Sequence, residues 1–249
     1  MKLNKYFPFV LMTVIIFTVI PFSKETLSET FTVGLKSDWY PPFYFEEGNA
    51  NTGIYIDILH EIGRITGDDF KKEYYHTPGK YEMFKKNLVD IEPGVNPAWR
   101  KKYKDISVYT VPFGRATDVM LFRKGARFPV KSILDLEGKS VGAVRGYVYP
   151  GFITYFDYGR SKRDDSTNEE QLLRKLVKER TDLAFINKTV AQYLINLHHY
   201  DCEYGNVIGD VEIMFRLHIN KKDALDRFNQ ALKKLLENGT IDKIYAKYR

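Results

Sequence analysis

Cysteine is nearly absent: Cys202 is the only one in 249 residues. An intrachain disulfide is therefore excluded, and folding must rest on an apolar core. Blocks of five or more like charges are missing, as are repeats and low-complexity segments. The formal charge of +6 is mild and interleaved with acidic residues, so nothing points to a nucleic-acid partner. The phosphate-binding P-loop, Gly-x-Ser-x-Gly and His-Glu-x-x-His are all absent. The pattern Gly142-Ala143-Val144-Arg145-Gly146 is too short for a dinucleotide site, and no cofactor is indicated. His198, His199, Asp201, Cys202 and Glu203 are close in sequence. Adjacent histidines past a helix end diverge, however, whereas metal ligands converge from separate elements or sit at i, i+3 or i+4; no metal site is expected.

No apolar run reaches the ~20 residues of a membrane-spanning helix. The most apolar stretch, residues 7–22, follows Lys2 and Lys5 and precedes a polar segment. That is the layout of a secretory signal peptide. We therefore expect residues 1–28 to be a signal, with Thr26-Leu27-Ser28 as a small-x-small cleavage site and the periplasm as destination. An uncleaved anchor is the alternative; a lipid anchor is excluded because no cysteine ends the run. Removing three lysines and one glutamate with the signal lowers the net charge from +6 to +4.

What is present is tyrosine, 18 of them, and an alternation of strand and helix patterns. Residues 32–35, 70–75, 88–91, 106–113, 118–123, 140–144, 182–186 and 211–219 read as strands. Residues 54–65, 81–86, 169–179, 189–197, 224–236 and 241–248 have helical apolar spacing. The alternation predicts an α/β architecture with largely parallel sheets. No linker separates domains. We expect two interleaved lobes, residues 29–116 plus 211–249 and residues 117–210. The chain would cross near Pro112-Phe113-Gly114 and near Gly209-Asp210.

Several pieces stand in a telling order: Trp39-Tyr40-Pro41-Pro42-Phe43, Gly53 to Asp57, Leu88-Val89-Asp90, Arg100, Asp105-Ile106-Ser107, Leu134 to Gly138, Val141 to Gly146, Arg180 to Asn187, and Gly239 to Tyr245. In that order, behind an export signal, they resemble the extracytoplasmic solute-binding proteins of family 3, which feed amino-acid ABC transporters. The resemblance covers residues 31–249. It implies a type II periplasmic-binding-protein fold, two α/β lobes closing on a ligand cleft. It further implies a monomer that captures a small polar solute, an amino acid or related carboxylate, for an ABC permease.

The same resemblance assigns candidate ligand contacts. Arg100 matches the carboxylate-binding arginine, whose fork suits a carboxylate; a surface arginine in the basic run Arg100-Lys101-Lys102 is the plainer alternative. Tyr40 matches an aromatic that covers ligand. Ser37 or Asp38 falls where a polar side chain faces the ligand's tail. Arg145 and Gly146 match a second-lobe loop whose N–H groups meet ligand at a helix N-terminus. Asn187 stands where many relatives carry aspartate for an ammonium group. Three features depart from the pattern: Asn187 is neutral, Tyr147 replaces Ser or Thr, and the loop before Arg100 is about two residues short. That loop, with Asn96, lacks the usual hydroxyls. Glu92 then offers either a new carboxylate for a cationic group or a solvent-exposed strand end, and Trp99 either a stacking face or a packing residue. On this reading no residue is catalytic, and Arg100→Ala weakens binding with the fold intact. Two rivals share the fold: an exported dehydratase using Glu92 as acid or base, and a ligand-sensing partner of a membrane receptor.

Overall fold

The computed structural model describes residues 28–249, so the expected signal segment lies outside the described residues except for Ser28. The first half alternates strands and helices: β1 (Thr30–Lys36), α1 (Ile54–Thr66), β2 (Asp69–Tyr75), α2 (Thr77–Lys85), β3 (Ile91–Val95) and β4 (Ser107–Tyr109). Strand β1 pairs in parallel with β2 and β3, a pairing that needs crossover connections, here α1 and α2. Phe31, Val33 and Leu35 alternate along β1 and are almost fully buried. In α1 the expected stripe of Ile54, Ile58, Leu59 and Ile62 is buried, each side chain contributing roughly 1.5–3 kcal/mol. The helix stops at Gly67, whose left-handed φ of 82° lets its N–H donate to Gly63.

The second half contains β5 (Gly114–Arg123), β6 (Ser140–Val144), α3 (Ile153–Asp157), β7 (Lys162–Ser166), α4 (Glu169–Val177), β8 (Leu183–Asn187) and α5 (Lys188–His198). The 17-residue β9 (Cys202–His218) returns to the first half, followed by α6 (Leu225–Glu237) and α7 (Thr240–Lys247). The strand order is β2-β1-β3-β9-β5-β8-β6-β7, with β4 also on β9. Helices α6 and α7 pack on α1 through Phe228, Leu232 and Ile241. Near the chain end Tyr248 accepts the Gly53 N–H at 2.9 Å. Gly53 has φ 104°, and a Cβ there would sit 2.5 Å from the Tyr44 Cα; only glycine lets the 40–44 loop dock against the start of α1.

The architecture is the two-lobed α/β fold expected. Its sheet is less parallel than the alternation predicts: β3 and β4 on β9, and β5 on β8 and β9, are antiparallel. The reason is β9. Its first part lies along β5, and its last residues insert between β3 and β4, where Leu217 faces both Ile91 and Val108. One long strand thus serves both halves. The predicted strand at 211–219 is only its second part, because the first part, rich in polar and glycine residues, carries little apolar signal. Strand β7, all polar, was missed for the same reason, whereas helix α3 is apolar but only five residues long, too short to show a helical period. The boundaries expected at 116/117 and 210/211 fall inside the continuous β5–β9 ladder, where Ala116 faces Val211 and Thr117 faces Asp210.

Candidate functional site

Glu92, on β3, is 2% exposed. It is not at a solvent-exposed strand end. Strand β3 places it against α2, β9 and the helical turn that follows Asn96, and each supplies a cation. Arg100 closes its fork on the carboxylate, Nε to Oε2 at 3.0 Å and Nη2 to Oε1 at 2.6 Å. Lys80 Nζ is 2.9 Å from Oε1. Arg216 Nη1 donates to Oε2 at 2.8 Å. The Arg216 guanidinium, fully buried, also donates to Ser107 and lies 3.6 Å over the Phe84 ring. Arg100 stacks on Tyr81 at 4.8 Å.

One carboxylate serving three cations has an unequal effect on its partners. Burial alone would raise the Glu92 pKa, but the charges of Lys80 and Arg100 outweigh it and hold the carboxyl well below the usual range. Burial pushes Lys80 down, and its share of Glu92 only partly offsets this. Both members of one ion pair therefore shift downward: the carboxylate is over-compensated and the lysine under-compensated.

A second cluster joins the two halves. Tyr147, after β6, donates its hydroxyl to Glu169 Oε1 at 2.8 Å, at the first turn of α4. Lys36, at the end of β1, reaches across to within 5.5 Å of the Tyr147 ring centre. Tyr40 packs on Phe43 and Tyr44, and burial followed by the neighbouring Tyr147 and Glu169 raises its pKa strongly. Asp118, on β5 opposite Asn187, has its carboxyl raised to about 6 by burial and then by Glu169. Among the described residues its side chain has no hydrogen-bond partner. Burial raises Glu169 as well, against the Tyr147 hydrogen bond and the Lys36 charge.

The remaining candidates are placed differently. Asn187 accepts from the Thr189 and Val190 N–H groups and caps α5; its oxygen is committed to the helix. Asn187→Ala is expected to cost about 1 kcal/mol in denaturant unfolding, whereas Asn187→Ser, which keeps a capping oxygen and adds no charge opposite Asp118, should cost less. Asn96 caps the turn leading to Arg100 and donates to Glu212 O. Ser37 Oγ lies 2.9 Å from His76 Nδ1, and Asp38 is exposed. Trp99 is 49% exposed, a free face rather than a packed ring. Arg145 and Gly146 are exposed. No helix begins at Gly146; α3 starts only at Ile153, after Pro150 and Gly151. The Arg145 and Tyr147 N–H groups bond to Ser166 O and Val144 O, so the expected donor row is used within the protein.

Sequence reasoning missed Lys80, Arg216, Asp118 and Glu169. Arg216 was open to notice: a charge in the middle of the apolar run 213–217 must find a buried partner. His198 contacts Glu170 at 3.8 Å, while His199 occupies the left-handed cap of α5. Among the described residues no three His, Cys, Asp or Glu side chains converge on a metal position. Burial pushes the Cys202 thiol to about 11. Surface depressions lie beside the end of α1, lined by His60, Gly63 and Phe70, and beside Tyr248, and neither is lined by a residue of either cluster.

Comparison with known proteins agrees with this architecture. The sequence profile of the bacterial extracellular solute-binding proteins, family 3, matches residues 31–249. The arginine-binding extracellular protein ArtP of Bacillus subtilis is 26% identical over 236 residues, covering 90% of this chain and 88% of that protein. The L-cystine-binding protein TcyJ of Escherichia coli is 24% identical over 226 residues, covering 88% and 82%. Among solved structures, a mutant of ArgBP from T. maritima superposes with a TM-score of 0.68 at 23% identity, covering 88% of this chain and 94% of that one. A histidine kinase sensor domain with similarity to periplasmic binding proteins gives 0.71 at 20% identity, covering 88% and 95%.

Proposed function

The chain belongs to the bacterial extracellular solute-binding proteins of family 3, and from that membership we propose that it captures a small polar solute between its lobes for an ABC permease. The protein acts as an exported periplasmic monomer, with the chain crossing between lobes near residues 112–114 and 209–210. The observation that carries this reading is the meeting of side chains from both halves. Lys36 and Tyr40 come from the β1 side, and Tyr147 with Glu169 from the other, with 5.5 Å between the Lys36 ammonium and the Tyr147 ring. A solute held there touches both halves, so its binding energy can favour the closed arrangement over the open one. The named binding functions of ArtP and TcyJ support a solute of amino-acid size.

A thermal-shift screen against amino acids, amines and small carboxylates tests the proposal. A specific solute at roughly 100-fold its Kd should add about 3 kcal/mol of apparent stability. A panel in which no member shifts the transition overturns it.

One observation keeps the enzyme reading in view. The carboxyls with raised pKa values are Asp118 and Glu169, the latter with one oxygen taken by the Tyr147 hydroxyl, whereas Lys80 and Arg100 hold Glu92 down. Asp118 is therefore the acid–base candidate for a dehydratase, and mass-spectrometric detection of turned-over solute would favour that reading over capture alone.

A further inference from the structure

The two clusters differ in what they leave free for a solute. At the Glu92 cluster each cation already bonds to Glu92, and the one guanidinium nitrogen left without a partner among the described residues, Arg216 Nη2, is buried out of a solute's reach. Arg100 is the most exposed of them, with 15% of its side chain accessible, against 9% for Lys80 and 1% for Arg216. It is the one an incoming anion would meet first, and both arms of its fork already sit on Glu92 at 3.0 and 2.6 Å. Its Nη1 is bonded to the Trp99 carbonyl. A solute carboxylate would have to break two charge-assisted hydrogen bonds and turn a buried carboxylate away from its partner. Such bonds are among the stronger ones in proteins, and an uncompensated buried charge is expensive.

The other wall has the opposite character. Asp118 is without a hydrogen-bond partner among the described residues. Glu169 is nine-tenths buried and carries the Tyr147 hydroxyl on one oxygen. Independently of these acids, the Tyr147 ring already faces an ammonium group, that of Lys36 at 5.5 Å, a chain cation that a solute ammonium would displace. Rings and carboxylates that are partly withdrawn from water favour an organic cation. The neutral Asn187, locked as a helix cap, adds no competing charge.

Resting on the solute-binding reading, we propose that Glu92 is a built-in carboxylate that closes the Arg100 fork to solutes. The protein accordingly takes an organic amine without a carboxylate group, its ammonium held by Asp118, Glu169 and the Tyr147 ring. Glu92 is then a specificity residue. It supplies from the chain the anion that an amino acid would otherwise bring.

The test uses ligand pairs that differ only in the carboxylate: arginine and agmatine, lysine and cadaverine, histidine and histamine, tyrosine and tyramine, each titrated by calorimetry into the purified protein. In at least one pair the decarboxylated member should bind tenfold or more tightly than its amino acid. Glu92→Gln should narrow that preference by at least tenfold by opening the fork. Should that variant not fold, Asp118→Asn carries the test, with a tenfold loss of amine affinity expected. Tighter binding of the amino-acid members overturns the proposal but leaves solute capture standing. A preference unmoved in the folded variants also overturns it. Binding by no member of any pair removes the amine class, and the wider screen above then reports separately whether solute capture itself fails.

Discussion

Replacing Glu92 with alanine is expected to destabilise the protein by about 3–5 kcal/mol, the usual consequence of removing one partner from a buried ionic cluster. The loss is large because Lys80, Arg100 and Arg216 would stay behind in a buried space with no counter-ion. Urea unfolding at neutral pH measures it, and a cost below about 1 kcal/mol would show that the cations find water instead. The same linkage has a pH signature. The folded-state pKa of Glu92 lies below its ordinary value of 4.5. Its stabilisation is therefore fully present above that value and is lost as pH falls below it toward the folded pKa. The variant should lose less stability than the wild type over that acid range. Arg100→Ala, read from sequence alone as a binding change with an intact fold, now carries a stability cost too, since it removes two of the hydrogen bonds to Glu92.

Asp118→Asn should act in the other direction. The carboxyl is raised from 3.8 to about 6, first by burial and then by Glu169. Every tenfold gain in proton affinity corresponds to about 1.4 kcal/mol, so at neutral pH the ionised aspartate disfavours the folded state by up to about 3 kcal/mol. Solvent reaching its partly exposed side chain reduces that figure. Between 3.8 and 6 the folded state holds more protons than the unfolded one, so the wild type should gain stability as pH falls through this window. The asparagine variant should be more stable above about pH 6 and lose its advantage near pH 4. Melting temperatures of the two proteins across this range decide the matter, and parallel profiles would refute it. In the amine-binding role proposed above, this cost to stability is the counterpart of function. The gain in stability should therefore be accompanied by the loss of amine affinity described above.

Much of the fold was legible because its signals are local. The apolar spacing of α1, the stop at Gly67 and the alternation of Phe31, Val33 and Leu35 each arise within a few residues, and the structure buries those side chains. The order of the family pieces added the two-lobed frame. Strand β7 and the first part of β9 were illegible because polar residues and glycine in them carry no period-two apolar pattern; pairing with neighbours alone makes them strands.

The site divides in the same way. Sequence by itself placed Glu92 and Arg100 eight residues apart, with Glu92 open between a cleft carboxylate and an exposed strand end; it set Asn187 between a strand and a helix and marked Tyr147 as a departure from the small hydroxyl residue of the family pattern. It determined nothing about where their polar atoms point. Tertiary structure decided that Glu92 is owned by three cations, one of them Arg216, 124 positions away. It also decided that Asn187 serves the α5 N-terminus and that Tyr147 reaches Glu169. The physical reason is range. Backbone propensity and apolar periodicity are written over short spans of chain, whereas the partner of a buried charge is whichever group the finished fold brings within about 3 Å, and desolvation makes that choice the one that sets its role.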